Sequence, residues 1–255
     1  MTAWALDLDG VVWLADEPIA GAPEAVRTLV DRGERVVLVS NNSFATLAEY
    51  RAKLDRLGVP AAADLVTSAM AAATLVAPGE RVLVCGGPGI VEAVEGRGAA
   101  ALANDREQRD VDVVVVGFHR DFDYERLRRA ASAVRGGARL VATNDDATYP
   151  TPGGVIPGGG AILAAVERAS GATAVVAGKP YAPVVELVRS RYGDAGTMVG
   201  DRPDTDGRFA RALGWRFALV LSGVTSSPAG ADPAPDVVAD DLAALVALRS
   251  ASEPG

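Results

Sequence analysis

Residues 3–13 read AWALDLDGVVW, a short apolar run that ends in two aspartates and a glycine. The apolar residues predict a buried strand over residues 3–8, which places Asp7 and Asp9 at its carboxyl end. Side chains two residues apart on a strand point to the same side, and a buried ionised carboxylate needs a cation or a donor. A plain Asx turn is the alternative, because Asp-Gly is a common turn signal.

The rest of the chain alternates short apolar runs with amphipathic stretches, such as helices predicted over residues 22–31 and 44–57. This pattern predicts an α/β fold with a mostly parallel sheet. Polar residues again follow apolar runs at three later points: Ser40, Asn41 and Asn42; Lys179; and Asp201, Asp204 and Asp206. Because open α/β sheets bind ligands at the carboxyl ends of their strands, the sequence predicts that these segments form one site.

Each segment also has an ordinary structural explanation. Ser40 and the asparagines after it could cap a helix, and acidic residues after a strand could simply favour a helix N-terminus. Lys179 could be a solvated surface lysine, although the chain contains only two lysines among 25 basic residues. The functional interpretation is an anion site at a helix N-terminus, an ammonium that holds phosphate, and carboxylates that bind Mg²⁺.

The composition excludes several other kinds of protein. The 255 residues include one cysteine, Cys85, and one histidine, His119, which is too few for a zinc site and leaves no motif for a catalytic triad. The net charge of −8 disfavours nucleic acid and anionic membranes as partners. No apolar run approaches the ~18 residues of a membrane span, and no signal-peptide pattern opens the chain. We therefore expect a reduced, cytoplasmic protein.

Taken together, the motifs resemble those of the haloacid dehalogenase (HAD) superfamily of phosphatases, in its NagD-like or p-nitrophenylphosphatase-like branch. The residues that carry the resemblance are Asp7-x-Asp9-Gly10, Ser40-Asn41-Asn42, Gly178-Lys179-Pro180 and Gly200-Asp201-Arg202-x-Asp204-Thr205-Asp206. The resemblance implies a Rossmann-like core over residues 1–79 and 177–255 and an inserted α/β cap over residues 80–176.

The resemblance also implies a role for each residue in an Mg²⁺-dependent phosphatase acting on a small phosphorylated metabolite. Asp7 is the expected nucleophile and Asp9 the general acid and base, while Asp7, the Asp9 carbonyl and Asp201 hold Mg²⁺. Ser40, Asn41, Asn42 and Lys179 are expected to hold the phosphoryl group, and Asp204 and Asp206 to orient metal-bound waters or the lysine. In the cap, Asn144, Asp146 and Tyr149 are expected to select the substrate.

Several alternatives stay open at this point. A phosphomutase or phosphotransferase of the same superfamily would carry the same core residues. A non-catalytic phospho-acceptor module is a further alternative, although it has no need of an acid and base at Asp9. Both a monomer and a cap-mediated homodimer fit the branch, and so do nucleotides, pyridoxal phosphate, glycerol phosphate, phosphoglycolate and sugar phosphates as substrates.

Overall fold

A computed structural model describes residues 3–151 and 154–252 and confirms the α/β class. The strands are β1 Ala3–Leu6, β2 Trp13–Leu14, β3 Glu17–Pro18, β4 Arg35–Ser40, β5 Asp64–Thr67, β6 Arg81–Cys85, β7 Ala100–Ala103, β8 Val113–Val116, β9 Arg139–Ala142, β10 Thr148–Thr151, β11 Gly154–Pro157, β12 Val175–Val176, β13 Gly196–Gly200, β14 Arg216–Val220 and β15 Val237–Ala239. The helices are α1 Ala22–Asp31, α2 Leu47–Arg56, α3 Ser68–Ala73, α4 Pro88–Glu95, α5 Tyr124–Arg135, α6 Gly159–Ser170, α7 Ala182–Tyr192, α8 Arg208–Leu213 and α9 Leu242–Ser252.

The described chain divides into two compact units. The first comprises residues 3–40, 48–66 and 179–252, and the second comprises residues 41–47, 67–151 and 154–178. The second unit thus begins earlier in the chain than the expected cap over residues 80–176. The core and cap boundaries expected from the sequence stay a prediction.

The first unit is built on a six-stranded sheet in the order β15-β14-β13-β1-β4-β5. All four residues of β1 are buried, as expected for a central strand covered on both faces. Strand β1 pairs in parallel with β4 and β13, so that Leu6 lies beside Leu38 and Val199. The residues that follow these three strands therefore leave the sheet at the same edge.

The second unit contains a five-stranded sheet in the order β12-β9-β8-β6-β7, and its four pairs of neighbouring strands are parallel. Its central strand β8 is fully buried, and helices α5 and α6 pack together over the sheet. A hairpin of β10 and β11 lies beside α6. Val114 and Val116 of β8 pack with the apolar faces of these helices in a buried core cluster of this unit.

Helix bounds set by hydrophobic periodicity agree with the prediction from the sequence, whereas a bound next to a loop differs from it. Helix α1 occupies the predicted residues, but the helix expected over residues 44–57 begins only at Leu47. The Asn42 side chain explains part of this delay, because its Oδ1 accepts a hydrogen bond from the Phe44 backbone at 2.9 Å and forms a turn. No helix within residues 3–151 and 154–252 has both the length and the hydropathy needed to cross a bilayer.

Candidate active site

A buried lysine joins two carboxylates in the first unit. Lys179, just before α7, donates from Nζ to Asp7 Oδ1 at 2.6 Å and to Asp206 Oδ1 at 2.7 Å. Burial alone would lower the pKa of Lys179, but the charges of Asp206 and Asp7 outweigh it and hold that pKa above its ordinary value. The lysine therefore stays charged and fixes both carboxylates.

Asp201 adds a third carboxylate to this cluster from the end of β13. Its Oδ2 accepts a hydrogen bond from the Val224 backbone at 2.5 Å, whereas its buried Oδ1 has no hydrogen-bond partner in the described part of the chain. Burial, followed by the charges of Asp7 and Asp206, raises the pKa of Asp201 to about 8. Burial likewise raises the pKa of Asp206 to about 6, against the opposing charge of Lys179.

The geometry of this cluster fits a divalent cation. Asp7, Asp201 and Asp206 each offer a carboxylate oxygen, and these oxygens lie within 4.8 Å of one another. One lysine cannot neutralise three carboxylates, and an oxygen-only set of ligands suits a hard ion such as Mg²⁺. The unpartnered Oδ1 of Asp201 is the kind of orphaned acceptor that a cation would satisfy.

Two glycines leave room for the Asp201 carboxylate. A Cβ at Gly10 would lie 2.5 Å from Asp201 Oδ2, and one at Gly223 would lie 2.0 Å from the same atom. Gly10 also adopts a φ of 88°, a conformation that favours glycine. The turn expected from the Asp-Gly pair is therefore present, and it lies beside the carboxylate cluster instead of replacing it. Gly223 and Val224 were not foreseen from the sequence, although they too follow the carboxyl end of a strand, β14.

Asp9 is held by the indole of Trp13, a residue for which the sequence predicts no role. Trp13 Nε1 donates to Asp9 Oδ1 at 2.9 Å, and the Trp13 ring lies 4.3 Å from Lys53 Nζ. Lys53 in turn donates to the Ala15 carbonyl at 2.6 Å, which fixes its ammonium over the ring. Burial raises the pKa of Asp9, and the Trp13 hydrogen bond and the Lys53 charge oppose that rise.

Ser40 and Asp204, two further candidates of the first unit, differ in burial. Ser40 is buried at the end of β4, where Tyr50 Oη donates to its Oγ at 3.4 Å. Asp204 is exposed, and its carboxylate lies 3.5 Å from Arg202 Nη2 rather than in the acidic cluster. Asp204 lies in a five-residue π-helical turn, Pro203–Gly207, that carries Asp206 into the cluster.

Three candidates of the second unit, Asn41, Asn144 and Asp146, form a hydrogen-bonded network. Asn41 Nδ2 donates to Asp146 Oδ2 at 3.0 Å, and Asn144 Nδ2 donates to the Asn41 carbonyl at 2.8 Å. The Asp146 backbone closes the network by donating to Asn144 Oδ1 at 3.2 Å. These side chains, predicted separately from two motifs, are thus brought together, and their binding roles stay predictions.

Tyr149 on β10 belongs to an aromatic cluster of the same unit. Its ring stacks on Phe118 with centroids 5.9 Å apart, and Phe118 meets Phe44 edge-on at 6.0 Å. The Arg120 guanidinium lies 5.9 Å from the Phe118 ring. Phe44 lies before the observed start of α2, although the sequence predicted it at the start of that helix, and neither Phe44 nor Phe118 belongs to a motif that pointed to the site.

Comparison with known proteins identifies the family. A model described as haloacid dehalogenase-like hydrolase matches residues 4–100, and a second, HAD-hydrolase-like model matches residues 176–245. An acid sugar phosphatase of Staphylococcus saprophyticus is 36% identical over 213 residues, which cover 80% of this chain and 80% of that protein. The chain belongs to the haloacid dehalogenase-like hydrolases. The resemblance inferred from the motifs is confirmed.

Other members of the haloacid dehalogenase-like hydrolases support the same enzyme class. A D-glycerol 3-phosphate phosphatase of Mycobacterium tuberculosis is 38% identical over 87% of this chain, and the match spans 63% of that protein. A p-nitrophenyl phosphatase structure from Archaeoglobus fulgidus has a TM-score of 0.86 at 28% identity and covers 97% of this chain and 98% of its own. The expected class, a phosphoric monoester hydrolase, is confirmed.

A metal-bound structure is also similar. The crystal structure of a glycerol phosphate phosphatase from Mycobacterium tuberculosis in complex with magnesium has a TM-score of 0.86 at 36% identity, and covers 96% of this chain and 76% of its own. The oxygen-only cluster of Asp7, Asp201 and Asp206 agrees with such a cofactor.

Proposed function

We propose that the protein hydrolyses small phosphomonoesters in two steps, with Asp7 as the nucleophile and Asp9 as the acid and base. The observation that carries this proposal is the buried cluster in which Lys179 contacts both Asp7 and Asp206 while Asp201 leaves an oxygen unpartnered. Such a cluster combines a held carboxylate with local positive charge for a phosphoryl group.

In the first step, an Asp7 oxygen forms a bond to phosphorus and the bond from phosphorus to the ester oxygen breaks. Asp9 gives its proton to the departing oxygen, so that an alcohol leaves and an aspartyl phosphate remains. The raised pKa of Asp9 supports its part, because a carboxyl must be protonated to act as an acid. Trp13 keeps the other end of this carboxyl in place through its indole.

In the second step, Asp9 removes a proton from water, and the water oxygen attacks phosphorus. The bond between phosphorus and the Asp7 oxygen breaks, which returns the Asp7 carboxylate and releases inorganic phosphate. Lys179 holds the Asp7 carboxylate as it leaves, and Asp206 holds Lys179 in that position. This arrangement favours turnover over storage of the phosphate on the protein.

Asp7, the Asp9 carbonyl and Asp201 are proposed to hold Mg²⁺, and Asp206 to orient Lys179 next to it. The cation would neutralise charge on the phosphoryl oxygens and on the crowded carboxylates. The magnesium complex of the similar Mycobacterium phosphatase supports this assignment. Ser40, Asn41, Asn42 and Lys179 are proposed as the groups that hold the phosphoryl oxygens, and Asp204 as a surface residue that assists Asp206.

The substrate is proposed to be a small phosphorylated metabolite, with glycerol phosphate the first to test. The similar Mycobacterium and Staphylococcus proteins, a D-glycerol 3-phosphate phosphatase and an acid sugar phosphatase, support a short polyol phosphate or sugar phosphate as the substrate. The polar network of Asn144 and Asp146 supports recognition of hydroxyl groups. Tyr149 is proposed to contact the leaving group.

Phosphate release from p-nitrophenyl phosphate in magnesium tests the mechanism. We expect steady release of free phosphate from excess substrate, and a loss of about 10³-fold or more in Asp7→Asn. Asp194→Asn serves as the control, because this carboxylate is exposed and outside the cluster. Full activity in Asp7→Asn would exclude the nucleophile. A phosphorylated product would instead indicate a mutase, and a single phosphate retained per chain would indicate a phospho-acceptor.

A panel of phosphorylated metabolites tests the substrate and the proposed cap. Tyr149→Ala should change the order of substrates within the panel, whereas Tyr149→Phe should keep it if the ring makes the contact.

The proposed cap over residues 80–176 is supported by the family models, which leave residues 101–175 unmatched. A cytoplasmic location is supported by the single cysteine, and a monomer or a cap-mediated homodimer can be told apart by light scattering.

A further inference from the structure

Lys53 is the one lysine of this chain that the proposed function leaves without a role. The chain contains two lysines, and the other, Lys179, joins two carboxylates of the acidic cluster. Lys53 lies in α2, and its side chain is 23% exposed. A partly exposed lysine is usually a solvated charge, so its contacts decide whether it does more.

The Lys53 ammonium makes three contacts with the segment that contains β2 and β3. Its Nζ donates to the Ala15 carbonyl at 2.6 Å, lies 3.4 Å from Asp16 Oδ1, and lies 4.3 Å from the centre of the Trp13 ring. The Asp16 carboxylate is 85% exposed, so water and salt screen that ion pair. The bond to the carbonyl and the cation–π contact with the ring are therefore the contacts that hold the lysine in place.

The hairpin of β2 and β3 needs support from another element. It contains two pairs of residues, and an isolated two-stranded hairpin is marginally stable in water. Its turn places Ala15 at a φ of 55°, a left-handed conformation that is unfavourable for alanine. By donating to the Ala15 carbonyl, Lys53 stabilises this turn from helix α2.

The Trp13 indole lies between this lysine and the Asp9 carboxylate. The main chain of Trp13 is fixed, because its N–H donates to the Leu8 carbonyl at 3.1 Å and its carbonyl accepts from the Gly10 N–H at 2.7 Å. These bonds leave the rotation of the side chain open. The indole is oriented at its edge by the bond from Nε1 to Asp9 Oδ1 at 2.9 Å, and across its face by the Lys53 ammonium.

We propose that Lys53 is a positioning residue for the proton transfer at Asp9. It holds the Trp13 ring and the Ala15 turn, so that the indole N–H keeps the Asp9 carboxyl directed at the departing oxygen. This inference rests on the proposed function, in which Asp9 is the acid. Because a misdirected proton donor transfers its proton more slowly, the effect of Lys53 should depend on how much the leaving group needs a proton.

Two aromatic phosphomonoesters with different leaving groups test this inference. The p-nitrophenolate ion is stable enough to leave without a proton, whereas the alcohol of benzyl phosphate needs one. The quantity to measure is kcat/KM in magnesium, because it covers the steps up to departure of the leaving group and excludes hydrolysis of the aspartyl phosphate. Lys53→Met should lower kcat/KM about 10-fold for benzyl phosphate and about 2-fold for p-nitrophenyl phosphate.

Two further variants of the same residue sharpen the result. Lys53→Arg should recover most of the loss, since a guanidinium can also donate to the Ala15 carbonyl and lie over the Trp13 ring. Lys53→Gln removes the charge with a polar side chain, and should show the same difference between the substrates should Lys53→Met fold poorly.

Arg56→Met is the matched control, because it removes a positive charge from an exposed position three residues further along α2. It should give wild-type values of kcat/KM for both substrates. A merely structural contribution of Lys53 would lower both values by the same factor. An equal loss for the two substrates in Lys53→Met and Lys53→Gln, or a loss that Lys53→Arg does not recover, would therefore overturn the inference.

Asp9→Asn separates a failure of this inference from a failure of the proposed function. We expect it to lose more kcat/KM for benzyl phosphate than for p-nitrophenyl phosphate. If it does so while Lys53→Met affects both substrates equally, Asp9 is the acid and Lys53 does not position it. If Asp9→Asn lowers both values by the same factor, the proposed acid is wrong, and the inference about Lys53 is overturned with it.

Discussion

Trp13 contacts both the Asp9 carboxylate and the Lys53 ammonium, so a change of this one residue should alter the pKa of Asp9. Trp13→Phe removes the indole donor 2.9 Å from Asp9 and keeps a ring beneath the ammonium. Because that hydrogen bond lowers the pKa of Asp9, its loss should raise this pKa further and shift the pH dependence of kcat upward. We expect kcat at neutral pH to fall about 10-fold.

The control for Trp13→Phe is Trp215→Phe, which removes an indole donor from the Gly193 carbonyl instead. That variant should lose stability and keep the wild-type pH profile. A kcat and a pH profile of Trp13→Phe that match the wild type would show that the indole does not position Asp9.

Lys179 lies at the centre of the acidic cluster, and its removal should leave buried charge without a partner. Lys179→Met keeps an unbranched side chain and removes the ammonium between Asp7 and Asp206. Loss of one member of a buried ion pair costs about 3–5 kcal/mol, so the midpoint of urea unfolding in EDTA should fall accordingly. An unchanged midpoint in Lys179→Met would contradict the structural role of the ion pairs.

At the scale of elements, the loop after β14 packs against the Asp201 carboxylate, a ligand of the proposed metal site. A Cβ at Gly223 would lie 2.0 Å from Asp201 Oδ2. Gly223→Ala should therefore displace this carboxylate and weaken magnesium binding by at least about 10-fold, measured from the magnesium dependence of phosphate release. Ser226→Ala, on an exposed position of the same loop, should leave that dependence unchanged.

The elements also show what can be predicted from this sequence and what cannot. The strand predicted over residues 3–8 is present as β1 over Ala3–Leu6. The carboxyl ends of β1 and β13 indicate that Asp7 and Asp201 converge, because parallel strands share an edge. Contacts made by loops were not predictable in the same way. The Val224 bond to Asp201 and the stacking of Phe118 on Tyr149 join residues with no common period, so only the tertiary structure places them together.

At the scale of the whole molecule, the carboxylate cluster couples folding to pH. Burial raises the pKa of Asp201 from an ordinary 3.8 to about 8 in the metal-free protein. Between these values the folded protein holds a proton that the unfolded chain has released. The free energy of unfolding therefore decreases as the pH rises from about 4 to 8, since folding at higher pH requires an ionised, buried carboxylate.

Thermal unfolding in EDTA and in magnesium tests this coupling. In EDTA we expect the Tm to fall by about 5 °C or more between pH 5.5 and pH 8.5. In magnesium the slope should lessen or reverse, because the cation binds the ionised carboxylate and stabilises the folded state by mass action. Asparagine cannot ionise, so Asp201→Asn should lose most of the pH dependence of the Tm in EDTA. It should also lose most of the rise in Tm that magnesium causes. A Tm in EDTA that rises over this range would contradict a raised pKa at Asp201, and with it the account of this cluster as a site that a cation completes.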